Sequence, residues 1–598
     1  MSNGHEGARG RTGTVLAAVA VLLAACWAPG CGGRGEVATT EDFARLLDAD
    51  RACVLVEWTP APPAAGKDAG EPADPCGRAI GRLLAAAGDG TGNGRAPEDA
   101  DEVHRAIGRV VGLLAAGRLF EGPVRYGAMI APPEADDMLL PSAADLLVGR
   151  PTREGAQALS HLLDTLAARD PDRVRQVEGA GSRDWEVEFP SFRGRARIRL
   201  AGGELRASFG GGSLDGERDR LLAGRPAARP LGDVLPPGPV TGGAGGLRAW
   251  LRPATAAEPV AEAVRHALAR AGMPAGQGQP GPAMVLGVLR ASLPDAAREL
   301  LASFADVRVR REGARGRLEV KLADQVSPLV ELFHERKGRV SADNLRGVPG
   351  DAWQAAAFAL PPLDRLVETL VGVLAPDAAP LLAGRLDQPL PAVPGVTPRQ
   401  LLAALGPGLV TWRAPGDPGG GAPPETGFAV EVRDRATVGQ IVGTLAAFAG
   451  ARPAAGDGDV STWIFPGPGA GAPGRAVVLG SGRLVVARDR ERALAVLEGK
   501  PGLGGNPHLA AAIERLAGGL PVGSLSYLDG EAVVRAFGAL SAGEGGAPAE
   551  EDAAVEDLQA CLAAFVARAA GAERVVSVGV RTPEGFRAES APVERGKK

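Results

Sequence analysis

The chain has 598 residues, of which 45% are hydrophobic and 4% aromatic, and its 66 basic residues nearly balance its 71 acidic residues. This length predicts about three to four domains with full hydrophobic cores. The balanced charge argues against nucleic acid as a partner, and the scarcity of aromatic side chains lowers the expectation of sugar or single-stranded nucleic-acid sites.

The N-terminus has the pattern of a secretory signal. A polar start with Arg9 and Arg11 precedes an apolar run over 15–25. Eleven helical residues rise about 16 Å, which is too short for a bilayer core of about 30 Å. A charged start, a short apolar run and small residues at its end are typical of a signal peptide. The alternative interpretation is a buried helix of a cytosolic domain.

The end of the apolar run carries a more specific motif. Leu23-Ala24-Ala25-Cys26 resembles the lipobox of bacterial lipoproteins, in which an aliphatic and two small residues precede a cysteine. The resemblance implies a diacylglycerol on the sulfur of Cys26, cleavage before this residue and anchoring to a membrane by acyl chains. Cys31 is the alternative site. No aspartate follows either cysteine, which in this family favours the outer membrane. We therefore expect a signal peptide at 1–25, a tether at 26–40 and a body in the cell envelope, facing the periplasm or the cell surface.

Three further cysteines lie in the body. Cys53 and Cys76 flank a loop rich in proline and glycine, and export would place them in an oxidising compartment. A disulfide between them is one hypothesis and two free thiols the other, because the spacing gives no geometry. Cys561 lies on the apolar face of a helical pattern, which indicates a buried small side chain.

The body shows a recurrent strand-then-helix pattern. Apolar runs at Leu146–Arg150, Val285–Arg290 and Phe428–Arg433 each end in arginine and precede a helical pattern. The middle helix is predicted to begin at a capping box that starts with Ser292. Internal similarity of this kind predicts repeated structural units.

The first and third units continue alike. Trp185 and Trp463 each precede a predicted hairpin, with glycine turns at 202–203 and 480–482 that are expected to supply positive φ angles. We interpret the two tryptophans either as residues that pack on the helix of their unit or as the wall of an apolar groove between helix and sheet.

Alternating hairpins and helices predict an α+β fold, with antiparallel sheets and helices packed on one face. The predicted domains are a first repeat at 41–270, a shorter middle repeat at 284–400 and a third repeat at 401–590. The third repeat is predicted to close with a helix at 554–570 and an edge strand from Arg574 to Val580.

The third repeat also resembles a known family. Leu401–Gly408, the strand at 428–433 with its helix, and the hairpin that leads to Leu528 resemble a family of bacterial envelope proteins known only as a domain of unknown function. The resemblance covers roughly 340–590 and, more faintly, 140–340. It implies an envelope location and brings no activity.

The motifs of common chemistry do not predict a catalytic, cofactor or metal site. The six histidines are scattered, and the glycine pattern at 469–474 contains Pro473 and precedes a strand rather than a helix. We therefore expect a membrane-anchored, non-enzymatic binding or scaffold module without a cofactor, whose partners are envelope proteins or a lipid. The alternatives are a periplasmic carrier of a lipid or another apolar ligand, and an enzyme whose site is assembled from distant residues.

Overall fold

The computed structural model has a mixed α+β architecture in which all the strand registers of the described residues are antiparallel. No helix in these residues is long and apolar enough to cross a membrane. The residues that the structure describes are 40–59, 102, 106–107, 109–110, 113–114, 118–133, 141–179, 182–189, 194–233, 246–270, 282–335, 338–376, 379–391, 393, 395–415, 425–454, 459–467, 474–533 and 574–594.

The chain forms two compact units. The described residues of unit 1 lie within 40–270 and at Asp306–Gly313, and those of unit 2 lie within 282–305, 314–533 and 574–594. Most of the predicted middle domain therefore shares one unit with the predicted third domain.

The described residues of unit 1 form nine antiparallel strands of a sheet, in the order β9-β8-β1-β2-β3-β7-β6-β5-β4. Its strands are β1 (Ala52–Trp58), β2 (Val124–Ala131), β3 (Ser142–Gly149), β4 (Val174–Gly179), β5 (Ser182–Phe189), β6 (Gly194–Ala201), β7 (Glu204–Gly211), β8 (Gly246–Leu251) and β9 (Phe304–Glu312). Its helices are α1 (Thr40–Ala44), α2 (Arg153–Arg169), α3 (Glu217–Leu222) and α4 (Pro253–Arg270).

Both faces of this sheet are buried at its central strand β3. Leu147 packs in one apolar cluster with Leu162 of α2, whereas Leu146 packs in another with Leu221 of α3. Successive side chains of a strand point to opposite faces, so a strand that is apolar at both positions needs cover on both sides. The expectation of helices on one face only is therefore wrong for this unit.

The described residues of unit 2 form eleven antiparallel strands, in the order β10-β20-β19-β18-β11-β12-β13-β17-β16-β15-β14. Its strands are β10 (Arg315–Leu322), β11 (Gln354–Ala359), β12 (Leu405–Ala414), β13 (Glu425–Val432), β14 (Arg452–Ala454), β15 (Ser461–Phe465), β16 (Arg475–Leu479), β17 (Arg483–Ala487), β18 (Val522–Asp529), β19 (Arg574–Thr582) and β20 (Gly585–Val593). Its helices are α5 (Pro282–Ala302), α6 (Pro328–Glu335), α7 (Leu363–Leu374), α8 (Ala379–Leu386), α9 (Pro398–Ala404), α10 (Arg435–Phe448), α11 (Arg490–Leu497) and α12 (Pro507–Ala517).

The main core of unit 2 lies on the face that α11 and α12 cover. Trp412, which is 1% exposed, lies in this core with Leu509 of α12 and Val496 of α11. A Cβ at Gly427 on the neighbouring strand would lie 2.1 Å from the indole of Trp412. Glycine at this position therefore lets the largest core side chain lie flat against the next strand.

The strands of the two units share an order. In unit 1, neighbouring strands follow the order β8-β1-β2-β3-β7-β6-β5-β4. In unit 2, the order is β18-β11-β12-β13-β17-β16-β15-β14, which is the same pattern with every strand number raised by ten. Helix α2 follows β3 as α10 follows β13, and α3 follows β7 as α11 follows β17. A strand followed by a helix is present where the first and third patterns predicted it, at β3 with α2 and at β13 with α10.

The middle pattern was predicted incorrectly at its start. Val285–Arg290 is not a strand but lies inside α5, and Ser292 lies within the same helix instead of capping one. A short apolar run fits a strand and a buried helix segment equally well, and no turn residue separates this run from the helical pattern after it.

Two smaller expectations also need correction. β19 is not an edge strand, because it pairs with both β18 and β20. Gly202 and Gly203 have the predicted positive φ values of 58° and 79°, but the glycines at 480–482 are not among the positive-φ glycines of the described residues. A Cβ at Gly480 would lie 2.7 Å from Leu497, so close packing explains that glycine.

Candidate functional site

Trp185 lies in the closed core of unit 1. It is 0% exposed, and its indole Nε1 donates a hydrogen bond of 3.0 Å to Oδ1 of Asp164 on α2. Ile198 stands directly opposite it on β6. This geometry fits the interpretation of Trp185 as a residue that packs on the helix of its unit, and its indole lines no solvent-accessible groove.

Trp463 has a different environment in unit 2. It lies on β15, the strand that corresponds to β5 in the shared order, and it is only partly buried. It packs at the margin of a small cluster that includes Val438 and Val442 of α10. The sheet surface next to Trp463 is therefore only partly covered, in contrast to that of Trp185.

An apolar band runs across four strands from this tryptophan. Trp463 stands opposite Val477, Val477 opposite Val486, and Val486 opposite Phe428. Neighbouring strands are about 4.8 Å apart, so the band is about 14 Å long. We call these four residues the apolar band. All of them retain exposed surface, and Phe428 is 37% exposed.

Helix α10 borders the band without closing it. Its buried residues are Val438, Ile441, Val442 and Ala446. Leu445 and Phe448, near its C-terminal end, are 51% and 76% exposed. Exposed large apolar side chains that belong to one patch are typical of a binding surface.

Arginines lie on the same face of the sheet, in a row along one side of the band. On β16, Arg475 lies two residues before Val477 of the band. On β12, Thr411 stands opposite Phe428 of the band, and Arg413 lies two residues after Thr411. Since side chains alternate along a strand, both arginines lie on the face of the band, one row beyond it. Arg488, directly after β17, is the equivalent residue beyond Val486. We call Arg413, Arg475 and Arg488 the basic edge.

Cys53 is a free, half-buried thiol in this structure. Its Sγ lies 3.6 Å from the carbonyl oxygen of Ala128, and burial raises its pKa to about 11. The thiol is therefore protonated at neutral pH and a poor nucleophile. Cys76, its predicted disulfide partner, lies outside the described residues, as do Cys26, Cys31 and Cys561. The disulfide and the lipidation site stay predictions.

Unit 1 contains a network of acids and arginines that the sequence patterns did not indicate. The carboxylate of Asp184 is fully buried and accepts hydrogen bonds from Arg197 and Arg199 on the next strand. Burial raises the pKa of Asp184, but hydrogen bonds from Arg199, Ser182 and Arg197 outweigh it and leave the pKa below its usual value. Glu186, two residues on, pairs in the same way with Arg175 at 2.7 Å. These charges neutralise one another, which favours a structural role.

Asp145 on β3 is a second charged group that single-sequence reasoning missed. Burial raises its pKa to about 6, although the backbone N–H of Phe209 and the hydroxyl of Tyr126, 3.4 Å away, both favour the ionised form. An isolated aspartate in an apolar strand gives no motif, so only its packing reveals it.

The raised pKa predicts how Asp145→Asn affects stability. The folded state binds a proton more tightly than the unfolded state, so the wild-type free energy of unfolding falls as pH rises from about 4 through about 6. We expect the variant to be about 1–3 kcal/mol more stable than wild type at pH 7 and equal to it below about pH 4. Urea unfolding at both pH values measures this. An equal difference at both values would contradict the assignment.

Unit 2 contains a separate cavity of about 530 Å³ between α5 and α7. This volume is ordinary for a small-molecule site. Asp295 on its wall is paired with Arg298 at 3.0 Å. Its lining residues are mostly small: Ala291, Ser292, Asp295, Ala296, Glu299, Pro328, Thr369, Gly372, Val373 and Pro376.

The part of the chain that the structure describes contains no group of three or more histidine, cysteine, aspartate or glutamate side chains arranged to hold a metal ion. No family model, no curated protein and no solved structure matches this chain. The apolar band and the basic edge are therefore interpreted from their own geometry.

Proposed function

We propose that this chain is a lipid-anchored protein of the bacterial cell envelope whose body is a non-enzymatic binding module, with an apolar ligand held on the apolar band of unit 2. The observation that carries the proposal is the contrast between Trp185, which is sealed in the core, and Trp463, which borders an open apolar surface at the corresponding strand. A sheet face that is closed in one unit and open in the other has room for an occupant. This supports the carrier form of binding more than a purely structural scaffold.

The anchor rests on the N-terminal sequence. A short apolar run that ends in Leu23-Ala24-Ala25-Cys26 gives the site for the lipid, and Cys31 remains the alternative. Several acyl chains, each contributing about 0.8 kcal/mol per buried CH₂, bind a protein stably to a membrane. An anchored carrier would act on ligands that are present at or near that membrane, in the outer membrane or facing the periplasm.

We also propose that the two units contain copies of one repeat, with β1–β9 of unit 1 corresponding to β11–β19 of unit 2. The shared strand order and the matching places of α2 and α10 support this. If one copy is stable although a face of its sheet is only partly covered by helices, that face can bind a ligand.

The proposal is tested by native mass spectrometry of the whole chain, which is expressed in a bacterium with its predicted signal peptide retained. We expect a mature mass that begins at Cys26 and includes acyl groups, and a second, dissociable mass of lipid size. Trp463→Ala and Phe428→Ala should lose the dissociable mass and keep the covalent one, because they remove apolar contact area from the band.

The matched control is Ile464→Ala. Ile464 is 36% exposed and is the neighbour of Trp463 in the chain, but its side chain points to the opposite face of the sheet. This variant should keep both masses. A wild-type chain with no dissociable mass would refute the carrier form of the proposal, and a mass without acyl groups would refute the anchor.

A further inference from the structure

The basic edge and the apolar band lie next to each other on one sheet face. Arg475 is two residues from Val477 on β16, which places its Cα about 7 Å from the band. Arg413 is in the same relation to Thr411, whose partner across the strands is Phe428. An occupant of the band therefore has cationic groups within reach along one side, and Arg475 lies near the Trp463 end of that side.

On this face, the described strand positions of the band and of the row beyond it include no acidic residue. The band consists of Trp463, Val477, Val486 and Phe428. The described strand positions in the row beyond it are Phe465, Arg475, Thr426 and Arg413. Neither row contains an acid. Glu425, the carboxylate nearest along β13, is 4% exposed and is paired with Arg492. Strand alternation places Glu425 on the opposite face from Phe428.

The arginines of the edge differ in how they are held. The guanidinium of Arg413 lies over the ring of Trp353, 5.9 Å from its centroid. Arg475 is exposed, and no ion pair of the described residues includes it. Arg475 is thus the cation of the edge that is best placed to meet a ligand charge.

We propose that the apolar band and the basic edge together bind a single-chain lipid with an anionic head, the acyl chain lying along the band and the carboxylate contacting Arg475. This inference rests on the proposed function and adds the class of ligand. A carboxylate and a guanidinium form short, charge-assisted hydrogen bonds that are about twice as strong as neutral ones. An apolar surface without the arginines would distinguish lipids by the length of their acyl chain but not by the charge of their head group.

The test compares decanoate with decanol, two ligands with the same chain and different heads. The protein is the whole chain carrying Cys26→Ser, which removes the sulfur expected to carry lipid, and binding is followed by tryptophan fluorescence. We expect decanoate to bind about tenfold more tightly than decanol. Arg475→Gln should remove this preference while the affinity for decanol stays unchanged, which also shows that the variant is folded.

Arg452→Gln is the matched control. Arg452 is an exposed arginine on β14, but it stands opposite Ile464 and so points away from the band. This variant should bind both ligands as the wild type does. Equal affinity of the wild type for decanoate and decanol, or a preference that survives Arg475→Gln, would overturn the inference and leave the proposed function standing. Failure of both ligands to bind would overturn the proposed function as well.

Discussion

Replacing Trp185 with alanine is expected to lower the free energy of unfolding of unit 1 by about 3–5 kcal/mol. The indole is 0% exposed and packs between β6 and α2, so its removal leaves a cavity that the surrounding strands cannot fill. The variant also loses the hydrogen bond to Asp164 on α2. Urea unfolding of the whole chain, followed by far-UV circular dichroism, gives the change in the transition midpoint.

Trp463→Ala is the matched comparison, because this tryptophan occupies the corresponding strand. Its side chain is only partly buried, and we expect a loss of about 1–2 kcal/mol. The two variants therefore separate a packing role from a ligand-facing one. Equal losses of stability would show that Trp463 is part of a closed core and would remove the basis of the apolar band.

The second large effect is expected at the ion pair between Glu57 of β1 and Arg125 of β2. Their side chains are each 7% exposed, and Arg125 Nε donates to Glu57 Oε2 at 3.0 Å. Glu57→Leu removes the carboxylate that pairs with this buried guanidinium, which costs about 3–5 kcal/mol. Equilibrium denaturation of the single variant measures this loss.

The double variant Glu57→Leu with Arg125→Met provides the control. Replacing both charges by apolar side chains of similar size removes the uncompensated charge, so we expect most of the lost stability to return. The difference between the double variant and the sum of the single ones gives the coupling between the two residues. A double variant as unstable as Glu57→Leu alone would mean that the loss comes from packing and not from charge.

Local patterns were sufficient to predict many of the elements. The apolar run at Phe428–Arg433, the helix after it and the hairpin around Gly202 and Gly203 are all present, because alternation, helical spacing and paired glycines act within a few residues. The run at Val285–Arg290 was misread because its short apolar stretch is compatible with both periodicities. Whether β19 lies at an edge depends on which strands pair with it, and nothing local encodes that.

The candidate site was predictable only in part. Trp463 stood out because it repeats the position of Trp185 relative to a hairpin. The basic edge did not, because Arg413 and Arg475 are more than 60 residues apart in the chain, and only the strand register places them on one face. Whether a face is open depends on how far a helix such as α10 extends over it, and tertiary packing alone sets that.

The strand order also bears on how the chain reaches its folded state. The second neighbour of β1 in the sheet is β8, where Val54 pairs with Leu251. The second neighbour of β11 is β18, where Gln354 pairs with Leu528. Such long sequence separations give a high contact order and slow folding. On the proposed export route, β1 would emerge from the translocation channel well before its partner and present a bare strand edge in the meantime. The half-exported chain is thus the state most in need of protection against aggregation.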